Sequence, residues 1–85
     1  MNRYRLLLAR SAKKDARRLL KTDRSRVQEA IRALADEPRP RGCQKIVGQS
    51  GYRIRVGVYR IVYEVDDTNR EITIYRIVHR KNAYR

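Results

Sequence analysis

Two short segments of alternating apolar and polar residues, only two residues apart, place the tightest constraint on the fold of this chain. They are residues 52–56 and 59–63, with Gly57 and Val58 between them. Alternation with a period of two predicts strands that have one buried face. Glycine at the first central position predicts a two-residue type II′ turn. The register of the hairpin follows, because such a turn pairs the two residues that flank it and then each pair outward.

This register sorts the hairpin residues onto two faces. One face is apolar and predicts a core surface, formed by Tyr52, Ile54, Val56, Tyr59, Ile61 and Tyr63. The other face carries Arg53, Arg55, Arg60, Val62 and Glu64. Arg55 is predicted to lie opposite Arg60, and like charges in directly opposed positions destabilise a sheet. Local rules are broken mainly at functional sites, and the guanidinium fork matches phosphate oxygens. We therefore predict a phosphate-binding face; the alternative is a solvated face whose arginines lie apart.

The residues before position 44 follow a helical period, after a first strand at residues 3–8. Ser11 is the predicted N-cap of a first helix whose apolar stripe is Ala12, Ala16, Leu19 and Leu20. Ser25 and Gln28 have capping-box spacing and predict the start of a second helix, which Pro38 ends. A further strand is predicted at residues 71–78. Residues 1–85 therefore form one α+β domain, with a mostly antiparallel sheet and the helices on one face.

The charge of the chain is strongly unbalanced. Its 85 residues include 22 Lys and Arg against 9 Asp and Glu, which gives a net charge of +13. A surplus of this size predicts a polyanionic or acidic partner. The apolar runs are too short for a transmembrane helix or a signal peptide, so we expect a cytoplasmic protein without membrane contact. Cys43 and His79 alone build neither a zinc site nor a disulfide, and no carboxylate cluster suggests another metal, so no cofactor is expected.

The last seven residues and the first helix add further cations. Tyr84 lies among His79, Arg80, Lys81 and Arg85, and aromatic residues between cations suit stacked bases with a bound phosphate backbone. Tyr84 alternatively closes the sheet edge, and His79 is alternatively a surface residue without a role. The basic face of the first helix is either solvated or in contact with phosphates, and its cations include Lys13, Lys14, Arg17 and Arg18.

Several segments together resemble the RelE toxin family of the RelE/ParE superfamily. They are Gln-Lys-Ile-Val-Gly at 44–48, Gly-Tyr-Arg-Ile-Arg-Val-Gly at 51–57, Tyr-Arg-Ile-Val-Tyr-Glu at 59–64 and His-Arg-Lys-Asn-Ala-Tyr-Arg at 79–85. The resemblance covers nearly the whole chain. It implies the compact RelE-like domain and a toxin that cuts mRNA in the ribosomal A site without a metal, by attack of a 2′-hydroxyl on the adjacent phosphate. It also implies a RelB-like antitoxin from a neighbouring gene, with ribosome and mRNA as the other partners.

The family's functional residues match positions in this chain. The predicted catalytic set is Arg55, Arg60, Arg80 and Tyr84, with His79 as an alternative proton handler because its ordinary pKa is near neutral. The predicted RNA- and phosphate-binding set is Arg53, Lys45, Lys81 and Arg85, and the predicted ribosome-docking set is Lys13, Lys14, Arg17 and Arg18. Two positions depart from the pattern: Val78 stands where the family often has glycine, and Val58 where it often has an acidic residue.

Two other functions stay open at this point. A toxin of the same fold from the ParE branch would inhibit DNA gyrase without cutting RNA. A non-catalytic nucleic-acid-binding module would explain the charge, but not the opposed arginines or the C-terminal aromatic residue. The clustered arginines favour the mRNA endonuclease over both.

Overall fold

The chain forms one five-stranded sheet and two helices in the computed structural model, which describes residues 3–46, 48 and 51–80. The sheet has the order β1-β5-β4-β3-β2 and is antiparallel except for the parallel pair of β1 and β5. This architecture confirms the predicted α+β class. The elements are β1 (Arg5–Leu8), α1 (Arg10–Arg17), α2 (Lys21–Asp36), β2 (Gln44–Lys45), β3 (Gly51–Val56), β4 (Tyr59–Asp66) and β5 (Glu71–His79).

The hairpin of β3 and β4 has the predicted register. Val56 pairs with Tyr59, and the pairing continues outward to Gly51 opposite Glu64. Gly57 has a φ of +60°, whereas Arg70 is the only described non-glycine residue with a positive φ. A positive φ at the first central position alone is the type II′ combination, so the turn chemistry accounts for the register.

The apolar face of the sheet packs against both helices. Ile61 and Tyr63 of β4 are fully buried, in contact with a stripe of small and branched residues from the helices. Complete burial of one such aliphatic side chain contributes about 1.5–3 kcal/mol. The other buried members of this core are Ala12, Leu19, Val27, Ile31, Leu34, Ile72, Ile74 and Ile77. Both helices therefore lie on one side of the sheet, as predicted.

Helix α1 covers the edge of β5 beyond the point where β1 ends. The amide of Ala9 donates to the carbonyl of Ile74 at 2.9 Å, and the carboxylate of Asp15 accepts the amide of Ile77 at 2.8 Å. Ser11, the predicted N-cap, instead donates its hydroxyl to the carbonyl of Tyr75 at 2.6 Å, and the N-cap of α1 is Ala9, two residues earlier than predicted. Edge groups that would otherwise be unpaired are thus satisfied by the helix.

The starts of α2 and β1 also differ from the prediction. Helix α2 begins at Lys21, so Ser25 lies inside the helix and does not cap it. Its first turn is held by Asp23, whose carboxylate accepts the Tyr59 hydroxyl at 3.2 Å. Strand β1 begins at Arg5, two residues later than predicted. The end of α2 at Asp36, before Pro38, is as predicted. Neither described helix combines the length and apolar character needed to cross a bilayer.

Candidate phosphate-binding site

Three arginines share a cleft on the face of the sheet opposite the helices. Arg55 lies directly opposite Arg60, and Arg53 is two residues along β3. Together with Gly42, Gln44 and Ile54 they line a cleft of about 310 Å³. The structure therefore brings Arg53, Arg55 and Arg60 together, as the register predicts. We call this feature the arginine cleft.

The three guanidinium groups of the arginine cleft have different surroundings. Arg53 is half-buried, and its Nε–H donates to Oε1 of Gln44 at 3.0 Å. Arg55 is exposed and makes no hydrogen bond or ion pair with another described residue. Arg60 is half-buried on β4. The cleft thus contains one oriented cation beside one exposed cation, which is an arrangement suited to a ligand with several anionic oxygens.

A carboxylate lies further along the same face of β4. Glu64 is half-buried, and its Oε1 accepts the hydroxyl of Tyr75 at 3.0 Å. This hydrogen bond raises the pKa of Tyr75, because it is made by the protonated phenol to a negative acceptor. Tyr75 therefore remains a donor that holds the carboxylate beside β5.

His79 lies on the helix-covered face, away from the arginine cleft. The cause is one extra residue in β5, which shifts the register between Val62 and Tyr63 of β4. Without that shift, Val78 would stand opposite Tyr59; with it, His79 takes this position and packs edge-to-face on the Tyr59 ring at 5.4 Å between centroids. His79 lines a separate cavity of about 260 Å³ instead. The structure does not bring His79 to Arg55 and Arg60.

The extra residue in β5 also determines the position of Val78. This residue, one of the two departures from the family pattern, pairs with Arg60 and is half-buried. A valine at this position therefore adds apolar surface beside the arginine cleft.

The remaining predicted site residues lie around this centre or outside the described part of the chain. Arg80 is exposed, and its amide donates to the carbonyl of Val58 at 2.6 Å, which fixes its backbone beside the hairpin turn. Lys45 is exposed and pairs with Tyr52, so it belongs to the opposite strand face from Arg53. Lys81, Tyr84 and Arg85 lie outside the described residues. The four predicted docking cations are exposed on α1 and at its end: Lys13, Lys14, Arg17 and Arg18.

Sequence reasoning missed Gln44 and Gly42 as cleft residues. Gln44 pairs with Arg53 across β2 and β3, so the two side chains share a face. The available signal was weak, because β2 has two residues and shows no alternation. Gly42 adopts a φ of +92°, a conformation that favours glycine, in the turn that leads into β2.

The connection before β2 is anchored by three polar side chains. The hydroxyl of buried Tyr63 donates to the carbonyl of Pro38 at 2.8 Å, and burial raises the pKa of that phenol. Arg39 donates through Nη2 to Asp67 at 2.8 Å and through Nε to the Tyr52 hydroxyl at 3.0 Å. The hydrogen bond from Arg39 holds the pKa of the Asp67 carboxyl below its ordinary value. This side of the arginine cleft is therefore attached to both the core and the β4–β5 turn.

The chemistry available in the arginine cleft is electrostatic. Fixed guanidinium groups bind phosphate oxygens in pairs, and they stabilise negative charge that develops during reaction at phosphorus. Within residues 3–46, 48 and 51–80, no three His, Cys, Asp or Glu side chains form a group that would hold a metal ion. The described residues of the cleft thus supply cations, but not an evident proton acceptor.

Comparison with known structures agrees with this fold. One chain of the archaeal RelE–RelB complex from Pyrococcus horikoshii is 30% identical; the match covers 98% of this chain and 100% of that one, with a TM-score of 0.84. A chain of the toxin–antitoxin complex RelBE2 from Mycobacterium tuberculosis is 27% identical over 92% of this chain and 99% of that one, with a TM-score of 0.81. A YoeB/ParE toxin from Agrobacterium tumefaciens, 17% identical over 88% of this chain and 96% of that one, shares the fold with a TM-score of 0.76.

The family assignment rests on a match over most of the chain. No curated protein sequence gives a significant match. The model of the family described as "ParE toxin of type II toxin-antitoxin system, parDE" matches residues 6–84. The chain therefore belongs to this family of type II toxin–antitoxin toxins, within the RelE/ParE superfamily.

Proposed function

We propose that this toxin inhibits translation as an endoribonuclease that cleaves mRNA in the ribosomal A site. The observation that carries the proposal is the arginine cleft, in which Arg55 directly opposes Arg60 on an open sheet face. Opposed cations cost stability, and a bound phosphate group offsets that cost. A toxin that only binds another protein has no evident need for three arginines around one cleft.

The proposed reaction is an attack by a ribose 2′-oxygen on the adjacent phosphorus. The 2′-hydroxyl loses its proton, a bond from the 2′-oxygen to phosphorus forms, and the bond from phosphorus to the 5′-oxygen breaks. The leaving 5′-oxygen takes up a proton, and the products end in a 2′,3′-cyclic phosphate and a 5′-hydroxyl. No oxidant, metal or nucleotide is consumed, so atoms and electrons balance within the RNA.

In this scheme the arginines divide two tasks. Arg53 and Arg55 bind the phosphate before reaction, and Arg60 and Arg80 stabilise the additional negative charge in the transition state. Removal of one such donor typically costs about 10²–10³-fold in rate. We assign proton transfer to Tyr84, which follows Arg80 and Lys81 in the sequence and lies outside the described residues. His79 is left out of this set because it faces Tyr59 on the other side of the sheet.

We further propose that the toxin is neutralised by a cognate antitoxin that covers the arginine cleft. Two of the similar structures are complexes of RelE with RelB or of RelBE2, which supports such a partner. A net charge of +13 favours fast, salt-sensitive association with an acidic segment. An antitoxin that left the cleft open would have to act by another route, such as bulk that prevents ribosome entry.

Inhibition of DNA gyrase is the second candidate function, because the matching family model is that of ParE toxins. The two functions differ in what stops first in cells. Induction of an mRNA endonuclease stops amino-acid incorporation while DNA stays intact. Induction of a gyrase inhibitor leaves early incorporation unchanged and produces broken DNA, and that result would refute our proposal.

The chemical step is tested with ribosomes that hold a defined mRNA. Purified toxin should cut this mRNA to leave a 2′,3′-cyclic phosphate, and a single 2′-deoxy substitution at the cut site should abolish cleavage. The matched control carries the 2′-deoxy substitution one codon away and should be cut at the normal rate. Cleavage of the substituted site would exclude the 2′-oxygen as the nucleophile.

A further inference from the structure

Gln44 contacts the arginine cleft from the shortest strand of the sheet. Strand β2 consists of Gln44 and Lys45, and Gln44 is paired with Arg53. Its amide oxygen accepts the Nε–H of Arg53 at 3.0 Å. Gln44 also lines the cleft, although it carries no charge that would bind phosphate.

This hydrogen bond determines which edge of the Arg53 guanidinium is available. The group has one edge formed by Nε and a terminal nitrogen and a second edge formed by the two terminal nitrogens. Gln44 occupies the Nε donor, so the terminal edge is left for a pair of phosphate oxygens. The contact also removes freedom from a long side chain before any ligand binds, which lowers the entropy lost on binding.

The backbone that carries Gln44 is itself held in place. Tyr63 donates to the carbonyl of Pro38 at 2.8 Å, and Arg39 is bonded to Asp67 at 2.8 Å. The amide of Cys43, the residue before Gln44, donates to the carbonyl of Pro40 at 3.0 Å. An acceptor on an anchored segment can fix the direction of a guanidinium, whereas one on a free loop would follow it.

We propose that Gln44 is a positioning residue of this toxin: it orients Arg53 so that the terminal edge of the guanidinium receives the scissile phosphate. The inference rests on the proposed function for its link to cleavage. It makes a separate statement about anion binding by the free protein, and that statement can be tested without ribosomes.

The first experiment measures the contact and its effect on anion binding. The Nε–H signal of Arg53 in a ¹⁵N NMR spectrum, assigned by its loss in Arg53→Lys, is followed during a titration with inorganic phosphate. Gln44→Met keeps the length of the side chain but removes the acceptor. We expect the Arg53 signal to shift or broaden and the phosphate affinity to fall about 3–10-fold, the equivalent of ordering one long side chain. The matched control is Gln28→Met on the exposed side of α2, which should leave both unchanged.

A charge variant separates orientation from electrostatics. Gln44→Glu retains an acceptor for Arg53 but adds a negative charge to the cleft. The Arg53 Nε–H signal should therefore persist while phosphate affinity falls. If Gln44→Met leaves the Arg53 signal and the phosphate affinity as in the wild type, the positioning role is overturned.

The second experiment uses cleavage to ask whether Gln44 acts through Arg53. Gln44→Met should slow single-turnover cleavage about 3–10-fold in the otherwise wild-type protein and have no further effect in Arg53→Ala. Equal losses in both backgrounds would overturn the inference, because Gln44 would then act independently. A wild-type protein that does not cleave refutes the proposed function, and the phosphate titration still decides the role of Gln44.

Discussion

Replacing Arg55 by glutamine should make the domain more stable while it lowers the rate of cleavage. Arg55 and Arg60 are directly opposed, and side chains in such positions diverge from Cβ atoms roughly 5 Å apart. Two unit charges about 6–8 Å apart in water repel by about 0.5–0.7 kcal/mol. Removing one charge should therefore raise the free energy of unfolding by about 0.5 kcal/mol at low ionic strength. For a domain of this size the melting temperature should rise by about 2–4 °C.

The salt dependence of the effect identifies its cause. The Debye length falls from about 30 Å at 0.01 M to about 3 Å at 1 M salt, so the gain in melting temperature should nearly vanish at 1 M. Arg32→Gln on the exposed side of α2 is the matched control, because it too lowers the net charge from +13 to +12 without altering the arginine cleft. It should change the melting temperature less than Arg55→Gln does.

The assay is thermal unfolding followed by circular dichroism at the two salt concentrations, with cleavage measured on the same samples. Cleavage by Arg55→Gln should fall on the order of 10-fold or more, since a charge-assisted contact to phosphate contributes about 1.5–3 kcal/mol. An Arg55→Gln protein that melts at or below the wild-type temperature at low salt would refute the reasoning. The result would mean that Arg55 and Arg60 do not repel each other and that the arginine cleft does not destabilise the fold.

Three further predictions concern the acid limit, the hairpin turn and the basic helix. The Asp67 carboxyl has a pKa below its ordinary value of 3.8 because Arg39 and Tyr4 donate hydrogen bonds to it. The unfolded state therefore binds more protons than the folded state near pH 3–4. The stability that this carboxylate contributes above that range is lost as the pH falls through it. Asp67→Asn should flatten the acid limb of a melting-temperature profile. Gly57→Ala forces φ of +60° on a residue with a Cβ and should cost about 1–2 kcal/mol in the free energy of unfolding, measured by urea titration. Lys13→Ala and Lys14→Ala should each lower the slope of log affinity for ribosomes against log salt by about 1.

Each of these predictions has an opposing result. An unchanged acid limb in Asp67→Asn would show that the Asp67 carboxyl does not contribute to the loss of stability at low pH. A Gly57→Ala protein as stable as the wild type would contradict the type II′ geometry of the turn. The control for this experiment is Val58→Ala, at the second central position of the same turn. Helix variants with the wild-type salt slope would show that α1 does not contact RNA phosphates.

The sequence allowed the hairpin to be predicted residue by residue because its turn has only two residues. Gly57 fixes the turn type, the turn type fixes the pairing, and the pairing places Arg55 opposite Arg60. The arginine cleft was therefore accessible before any coordinates. The starts of the two helices could not be predicted in this way. Ser11 and Ser25 fit the local pattern of an N-cap, but tertiary contacts decide where each helix begins.

The position of His79 shows a different limit. Its face depends on a single extra residue in β5, Tyr75, and nothing in the local sequence marks a bulge between Ile74 and Arg76. The bulge is satisfied by contacts from α1, which lies more than fifty residues earlier in the chain. A one-residue shift reverses the face of every following side chain. For this reason a candidate catalytic residue at the end of a strand cannot be assigned from alternation alone.

The central claim, that the arginine cleft performs RNA cleavage, is tested most directly by single-turnover cleavage on saturating ribosomes with Arg60→Ala. Saturation removes differences in binding, so the rate reports the chemical step. The account predicts a loss on the order of 10²-fold or more, with the fold retained as judged by circular dichroism and with Arg32→Ala cleaving normally. An Arg60→Ala toxin that cleaves at the wild-type rate under these conditions would contradict the claim.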